Sequence, residues 1–338
     1  IAYSQLGAIL LINSSYDDAL ENLLKANALN PKDSNTLINL AKAYRIKGQI
    51  DLAIVTYQEI LKINPNDFKA LDLLGVMYLD KKDYSASINN LKNSLLINKD
   101  YFNSNFNFAL VNQQIGNWGI ALKYYENVLR IDPKCHLAYY NMGEAYNNIA
   151  EVNESISSYE KCINLKPDYF SAYLNLGVIY NNQMDIDKAI NVFKSAIEIN
   201  PNFSEVYYNL GNSYEKKEDL GKAVFFLRKA IKINPVFVQA LHNLSCIYQK
   251  MGNLDNALEI LNKVLSIDSS HKISLAQKLK IEREICNWDS FNYVQNLYKK
   301  GEISNLEIQP RDMMYLIDDP SVDLKVSKQL FLSKYKRE

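Results

Sequence analysis

The chain has few of the residues that build cross-linked or reactive sites. Its 338 residues include only 4 cysteines, 3 histidines and 2 tryptophans. The cysteines stand far apart and form no CxxC pair, which speaks against both a disulfide framework and a zinc site. They are Cys135, Cys162, Cys246 and Cys286. This usage favours a reducing, cytoplasmic setting and predicts no bound metal.

The signature motifs of common enzymes are missing as well. No GxGxxG, GxxxxGK[ST], HExxH or GxSxG segment occurs, so the usual dinucleotide, phosphate, zinc-protease and hydrolase sites are not predicted. The histidines His136, His242 and His271 are isolated in the sequence, and a packing or surface position explains each better than catalysis does. We expect no catalytic residue and no cofactor in this chain.

Neither a dominant charge nor a long apolar run is present. Lys plus Arg balance Asp plus Glu at 38 each, and the charges are interspersed, so no strong field favours nucleic acid or an acidic membrane. The longest apolar runs, at 6–12 and 224–227, are far shorter than the roughly 20 residues of a membrane span. We therefore expect neither nucleic acid nor membrane as a partner.

What the chain does have is an internal repeat of 34 residues. A proline or its substitute recurs at this step, at Pro31, Pro65, Lys99, Pro133, Pro167, Pro201, Pro235 and Ser269. A small residue after Leu, Met or Phe recurs at the same step, at Gly7, Ala41, Gly75, Ala109, Gly143, Gly177, Gly211 and Ser245. A regular array of this kind forms an extended surface, so function is sought first in binding.

One unit, residues 170–203, shows the pattern most clearly. Its first half predicts a helix, here called A, with an apolar stripe of Tyr173, Leu176, Gly177 and Tyr180. Asp185 is placed to cap a second helix, B, which carries Ala189, Phe193 and Ala196 and ends before Pro201. We expect Gly177 and Ala189 to allow close approach of helices A and B, and Ala196 to pack against the next unit.

These eight apolar, small and proline positions resemble the signature of the tetratricopeptide repeat. The resemblance covers about residues 1–269 and implies an all-α fold, a right-handed α-solenoid of about eight helix-turn-helix units, with a capping and linker segment at 270–338. The third unit departs at Ser87, Ser94 and Lys99, and the fourth at Phe108 and Asn112. The approximate units are 1–33, 34–67, 68–101, 102–135, 136–169, 170–203, 204–237 and 238–271.

In that family the residue before the Leu of helix A faces the concave groove. Here six of the eight residues at this position are asparagine, namely Asn39, Asn107, Asn141, Asn175, Asn209 and Asn243; the other two are Gln5 and Leu73. An amide both donates and accepts hydrogen bonds, so a regular ladder of amides can pair with an extended peptide without reading its sequence. The alternative is that the ladder reflects the abundance of Asn in this chain. Tyr140, Tyr208 and His242, one position earlier, add groove aromatics or serve packing.

The repeat fails after Ser269, and a different segment follows. Its element Cys286-x-Trp288-Asp289, with Phe291 close behind, is similar to the linker before the catalytic domain of O-linked N-acetylglucosamine transferase-like proteins. In that family two glycosyltransferase lobes follow, so the chain is expected to be part of something longer. The alternative is a generic cap in which Trp288 and Phe291 seal the last apolar face.

Three functions remain open on these grounds. The first is the substrate- or partner-recognition arm of a larger glycosyltransferase resembling O-linked N-acetylglucosamine transferases. The second is a free-standing scaffold that binds a protein or peptide in its groove. The third is the arm of another transferase, such as a sulfotransferase or methyltransferase. The sequence leaves the partner and the oligomeric state open.

Overall fold

The structure, a computed structural model, describes residues 2–285. These residues form seventeen helices and no strand, which confirms the predicted all-α fold for this part of the chain. The helices are α1 (Ala2–Ile12), α2 (Tyr16–Leu29), α3 (Ser34–Ile46), α4 (Ile50–Ile63), α5 (Phe68–Asp80), α6 (Tyr84–Ile97), α7 (Phe102–Gln114), α8 (Trp118–Ile131), α9 (His136–Asn148), α10 (Val152–Leu165), α11 (Phe170–Asn182), α12 (Ile186–Ile199), α13 (Ser204–Lys216), α14 (Leu220–Ile233), α15 (Val238–Lys250), α16 (Leu254–Ile267) and α17 (Lys272–Glu284). The odd-numbered helices from α1 to α15 are the predicted A helices, the even-numbered helices are the B helices, and α17 lies in the predicted capping segment.

Acidic residues mark the starts of several helices. Asp67 Oδ1 accepts from the backbone N–H groups of Lys69 and Ala70 at 3.1 Å, and Asp83 accepts from Ala86 N at 3.0 Å. These bonds satisfy donors that a helix start otherwise leaves unpaired. Asp185 lies at the N-cap position of α12 as the sequence predicted, but its side chain makes no capping hydrogen bond, and its carboxylate pairs instead with Lys188 Nζ at 2.7 Å.

In every repeat, one residue of the turn from helix A to helix B has a left-handed backbone conformation, and it lies at the same position each time. Glycine supplies it at Gly48, Gly116 and Gly252, with φ between 72° and 80°. Residues with a side chain supply it at Ser14, Lys82, Ala150, Met184 and Glu218, with φ between 61° and 64°. Left-handed backbone costs an L-residue about 1–2 kcal/mol and costs glycine almost nothing. Five turns therefore hold a strained residue where three use glycine.

We expect Ala150→Gly and Met184→Gly each to raise the free energy of unfolding by about 0.5–1 kcal/mol, since relief of backbone strain exceeds the entropic cost of glycine. Chemical denaturation of each variant measures this. Lys123→Gly, an exposed site inside α8, is the control and should lower stability by about 1 kcal/mol. Equal destabilisation by all three changes would contradict the prediction.

Helices A and B of a repeat approach closely where helix A carries glycine. A Cβ placed on Gly177 would lie 2.5 Å from Phe193 Cε1, and one on Gly143 would lie 2.7 Å from Tyr159 Cε1. Both aromatic side chains are almost fully buried. The small residue predicted at the crossing thus makes room for the large side chain of helix B, which then fills the centre of the repeat.

The chain divides between Ala172 and Tyr173 into two compact units. Within each unit, neighbouring A helices contact each other, as α5 does α7 in the first and α13 does α15 in the second. Large side chains that are fully buried in the first unit include Leu37, Tyr57, Met77 and Tyr125. Those in the second include Phe193, Leu210, Leu227 and Leu241. Each unit therefore has its own apolar core.

Two departures from the repeat pattern become polar contacts in the first unit. Ser94, where Ala is usual, is fully buried and donates to Phe68 O at 2.7 Å. Asn112, where Tyr is usual, is buried and donates to Phe108 O at 2.7 Å. Both of these polar side chains form hydrogen bonds, whereas the buried hydroxyl of Ser87, a third departure, has no partner within residues 2–285; the helix pairs persist at all three places.

Candidate functional site

The six asparagines of the predicted ladder are the sixth residues of their helices. Together with the fifth and ninth residues of each odd-numbered helix they form what is called here the helix-A face. All six are half-buried: Asn39, Asn107 and Asn141 in the first unit, and Asn175, Asn209 and Asn243 in the second. Each is thus partly open to solvent, as a binding role requires, and partly held by its neighbours.

In the first unit two of the three amides touch neighbouring groups. Asn107 Nδ2 donates to Asp72 Oδ1 at 3.0 Å, and Asn141 is hydrogen-bonded to the Tyr125 hydroxyl. The side-chain amide of Asn39 makes no hydrogen bond within residues 2–285. Because an amide offers two donors and one acceptor oxygen, one bond leaves the rest available to a ligand.

In the second unit the pattern is similar. Asn243 Nδ2 donates to Asn212 Oδ1 at 2.8 Å and to the Tyr208 hydroxyl at 3.4 Å, which leaves its own oxygen as an acceptor. Asn175 takes part in a further side-chain interaction. Among the described residues, the side-chain amide of Asn209 has no hydrogen-bond partner, although its backbone carbonyl accepts from Ser213 Oγ at 2.9 Å. Bonds between adjacent A helices therefore fix some of these amides, while others stay open.

A buried carboxylate interrupts the ladder in the first unit. Where the third repeat has Leu73 in place of asparagine, the preceding residue is Asp72, which is only 1% exposed. Its Oδ1 accepts from Ser104 Oγ at 2.9 Å as well as from Asn107, and Ser104 in turn contacts Ser94 Oγ at 2.7 Å. Sequence reasoning missed this group. The signal was present, since the fifth residue is uncharged in every other A helix from α3 to α13.

Burial raises the pKa of Asp72, although the hydrogen bonds from Asn107 and Ser104 act in the opposite direction. A folded-state pKa above the ordinary value of 3.8 means that the ionised carboxylate opposes folding. This cost is fully present above the raised pKa and disappears as the pH falls through 3.8.

We therefore expect Asp72→Asn to stabilise the chain at neutral pH by on the order of 1 kcal/mol, because the amide oxygen keeps both bonds without the charge. Urea denaturation of both proteins at neutral and acidic pH measures the difference, which should shrink towards acid. A variant that is less stable at neutral pH would contradict this account.

The aromatic residues of the helix-A face are engaged in packing. The Tyr140 ring lies 5.1 Å from Tyr169 in an edge-to-face arrangement, and Tyr208 lies 5.1 Å from Phe237. His242 is 5.6 Å from His271, and its Nδ1 is 2.9 Å from Ser274 Oγ. These contacts favour the packing interpretation of all three positions.

Several charged side chains on and beside this face have partners within the same unit. Arg45 Nε meets Asp80 Oδ2 at 3.0 Å in the first unit, and Lys250 pairs with Glu215 in the second. Glu144 accepts from Gln113 at 3.0 Å and from the Tyr140 hydroxyl at 2.9 Å. The helix-A face is therefore polar but offers no strong field of one sign.

Metal and thiol chemistry find little support in the described part of the chain. Residues 2–285 hold no group of three His, Cys, Asp or Glu side chains arranged to bind a metal ion. Cys135, Cys162 and Cys246 are free thiols, and burial raises the pKa of each, that of Cys162 to about 11. They are accordingly protonated near neutral pH. The predicted capping residues Cys286, Trp288 and Phe291 lie outside the described residues.

Comparison with protein-family models identifies the repeats. Models described as tetratricopeptide repeat match residues 136–169, 158–191, 204–237 and 238–271, and one described as TPR repeat matches 185–218. A model described as regulator of microtubule dynamics protein 1-3 matches residues 10–73. The predicted tetratricopeptide repeats are thus confirmed across residues 136–271. The resemblance of the later segment to a transferase linker stays a hypothesis.

Known proteins resemble this chain either in a short stretch of sequence or in fold. A TPR repeat-containing protein of Methanocaldococcus jannaschii is 49% identical over 49 residues, which are 14% of this chain. That match spans 9% of the relative, so the chain covers under a tenth of it. A tetratricopeptide repeat protein of Parabacteroides merdae superposes with a TM-score of 0.53 at 16% identity, covering 73% of this chain and 98% of the other.

A chain of the APC/C hetero-tetramer Cut9-Hcn1 superposes with a TM-score of 0.52 at 16% identity. The superposition covers 79% of this chain and 52% of the other. At these identities the likeness establishes an α-solenoid fold and nothing about ligands. Among the helices of residues 2–285, none is long and apolar enough to cross a bilayer.

Proposed function

We propose that the repeats of each unit bind an extended segment of another protein along the helix-A face of that unit, through its asparagines of the ladder. The observation that carries the proposal is the hydrogen bonding of the ladder: all six asparagines are half-buried at one helical position, and the side-chain amides of Asn39 and Asn209 make no hydrogen bond within residues 2–285. Tetratricopeptide repeats across residues 136–271 support a protein-binding role.

The chemistry of the face favours a polypeptide backbone as the ligand. Amides complement peptide N–H and C=O groups, which recur along an extended chain regardless of its sequence. The charged positions of the face, such as Lys42, Asp72 and Glu144, carry both signs and form no basic cluster that would attract a polyanion, so nucleic acid is disfavoured. The ligand is then selected by backbone geometry and by the few side chains that fit between the amides.

A direct test compares peptide affinity with and without the ladder. Peptides are selected from a displayed random library on the full chain, and their affinities are then measured for the wild type and for the triple variant Asn141→Ala, Asn175→Ala and Asn209→Ala. A large loss of affinity is expected. Unchanged affinity would reject the ladder and leave its composition as the explanation.

We also propose, on separate grounds, that this binding array serves a larger glycosyltransferase similar to O-linked N-acetylglucosamine transferases. Only the Cys286-x-Trp288-Asp289 segment and the residues after it support this, by sequence resemblance. The test is to sequence the parent gene beyond the codon of Glu338. A downstream domain without a sugar-nucleotide site, or a stop codon, would reject this proposal and favour a free-standing scaffold. The ladder proposal would be unaffected.

A further inference from the structure

Helix α14, in the second unit, carries an unusual concentration of positive charge. Its fourteen residues, Leu220–Ile233, include four cationic side chains and no carboxylate. Lys222, Phe225, Lys229 and Lys232 follow one another at steps of three or four residues, so they lie along one side of the helix, with Arg228 beside them. All five are exposed, and they are called here the α14 basic face. The opposite side, with Ala223, Leu227 and Ala230, is buried.

Most of these cations lack a counter-ion. Lys222 pairs with Asp219 at 2.7 Å, but Arg228, Lys229 and Lys232 form no ion pair within residues 2–285. The carboxylates of Asp187 and Glu215, also in this unit, are already paired with Lys217 and Lys250. Three positive charges therefore remain uncompensated on one helix of a chain whose net charge is zero.

Aromatic rings hold two of these cations in place. Lys229 Nζ lies 4.8 Å from the centroid of the Phe225 ring and 5.5 Å from that of Tyr207, and the Arg228 guanidinium lies 5.8 Å from that of Tyr248. Cation–π contacts order the side chains without neutralising them. Phe225 itself is 53% exposed, although it is a large apolar side chain among charges. The face thus offers positioned charges around an apolar centre.

We propose that the α14 basic face binds an acidic polypeptide segment that places an apolar side chain on Phe225. Carboxylates at the spacing of Arg228, Lys229 and Lys232 supply the missing charges, and the ring of Phe225 loses its contact with water. A polypeptide is favoured over nucleic acid because the chain has no net charge and only four cations gather here, too few for strong polyelectrolyte binding. The site is separate from the asparagine ladder.

The test uses the full chain and a short fluorescein-labelled peptide of alternating glutamate and leucine, followed by fluorescence anisotropy. The double variant Lys229→Glu and Lys232→Glu should weaken binding by about tenfold or more, and Phe225→Ser by about three- to tenfold. A probe with glutamine in place of glutamate should not bind. The ladder triple variant should bind the acidic probe like the wild type, which separates the two proposals.

The matched control is Lys92→Glu with Lys123→Glu, which changes the net charge equally at exposed sites of α6 and α8. Equal weakening by this control, or no binding of the acidic probe to the wild type, would overturn the proposal. If phosphatidylserine vesicles or single-stranded RNA bind more tightly than the acidic peptide, and this binding is lost in the α14 variant, then the ligand of the face is not an acidic polypeptide. If the charge-reversed variant fails to fold by circular dichroism, Lys229→Gln with Lys232→Gln replaces it, with the same criteria.

Discussion

Replacement of Phe193 by Ala should lower the free energy of unfolding by about 3–5 kcal/mol, the largest stability effect that we expect from one substitution in the repeats. The side chain is fully buried, and its ring lies where a Cβ on Gly177 would come within 2.5 Å of it. Removing the ring opens a cavity between α11 and α12, and the rigid helix crossing around it closes only in part. Urea denaturation followed by circular dichroism measures the loss.

A double-mutant cycle with Gly177 makes this prediction specific to the contact. Gly177→Ala alone should cost about 1–3 kcal/mol, because the added methyl group collides with the Phe193 ring. In the Phe193→Ala background the same methyl group enters the cavity, so it should cost little or stabilise. Additive effects of the two substitutions would contradict close contact as the reason for glycine at this position.

Much of the fold follows from the period of 34 residues. Proline closely follows six of the eight B helices, since it cannot continue the backbone hydrogen bonds, and glycine or alanine at most crossings leaves room for one large side chain. Both rules depend on local chemistry, so the sequence predicts the helix pairs. The left-handed turn residue was not predicted, because Ala150, Met184 and Glu218 carry no sequence signal for that conformation.

The helical position of the candidate asparagines could be predicted from the sequence, but their hydrogen bonds could not. The spacing identifies which residues are the sixth of their helices. Only the structure shows that the Asn107 side chain is hydrogen-bonded to Asp72, whereas the Asn209 side chain makes no hydrogen bond within residues 2–285. Such bonds join residues 35 positions apart in the sequence, and they depend on the side chain that each neighbouring repeat happens to carry. The α14 basic face could not be predicted from the sequence for the same reason, because only the structure shows which of its cations form ion pairs.

Substitution of Asn141, Asn175 and Asn209 together by Ala should weaken binding of a selected peptide by about 30- to 1000-fold, if each amide contributes about 0.7–1.4 kcal/mol through its bonds to the peptide backbone. Isothermal titration calorimetry on the full chain measures the change. Because the Asn209 side chain makes no hydrogen bond within residues 2–285 of the free chain, Asn209→Ala alone should leave the unfolding midpoint unchanged and still weaken binding.

The control for composition replaces three exposed asparagines of the B helices, Asn89→Ala, Asn153→Ala and Asn191→Ala. These residues have the same chemistry but lie off the helix-A face, so peptide affinity should stay within about twofold of wild type. Similar losses in both triple variants would mean that asparagine acts through general stability or solubility. A loss of peptide affinity confined to the ladder variant would show that the sixth residue of helix A recognises the peptide backbone. The repeat would then set the spacing between successive recognition residues.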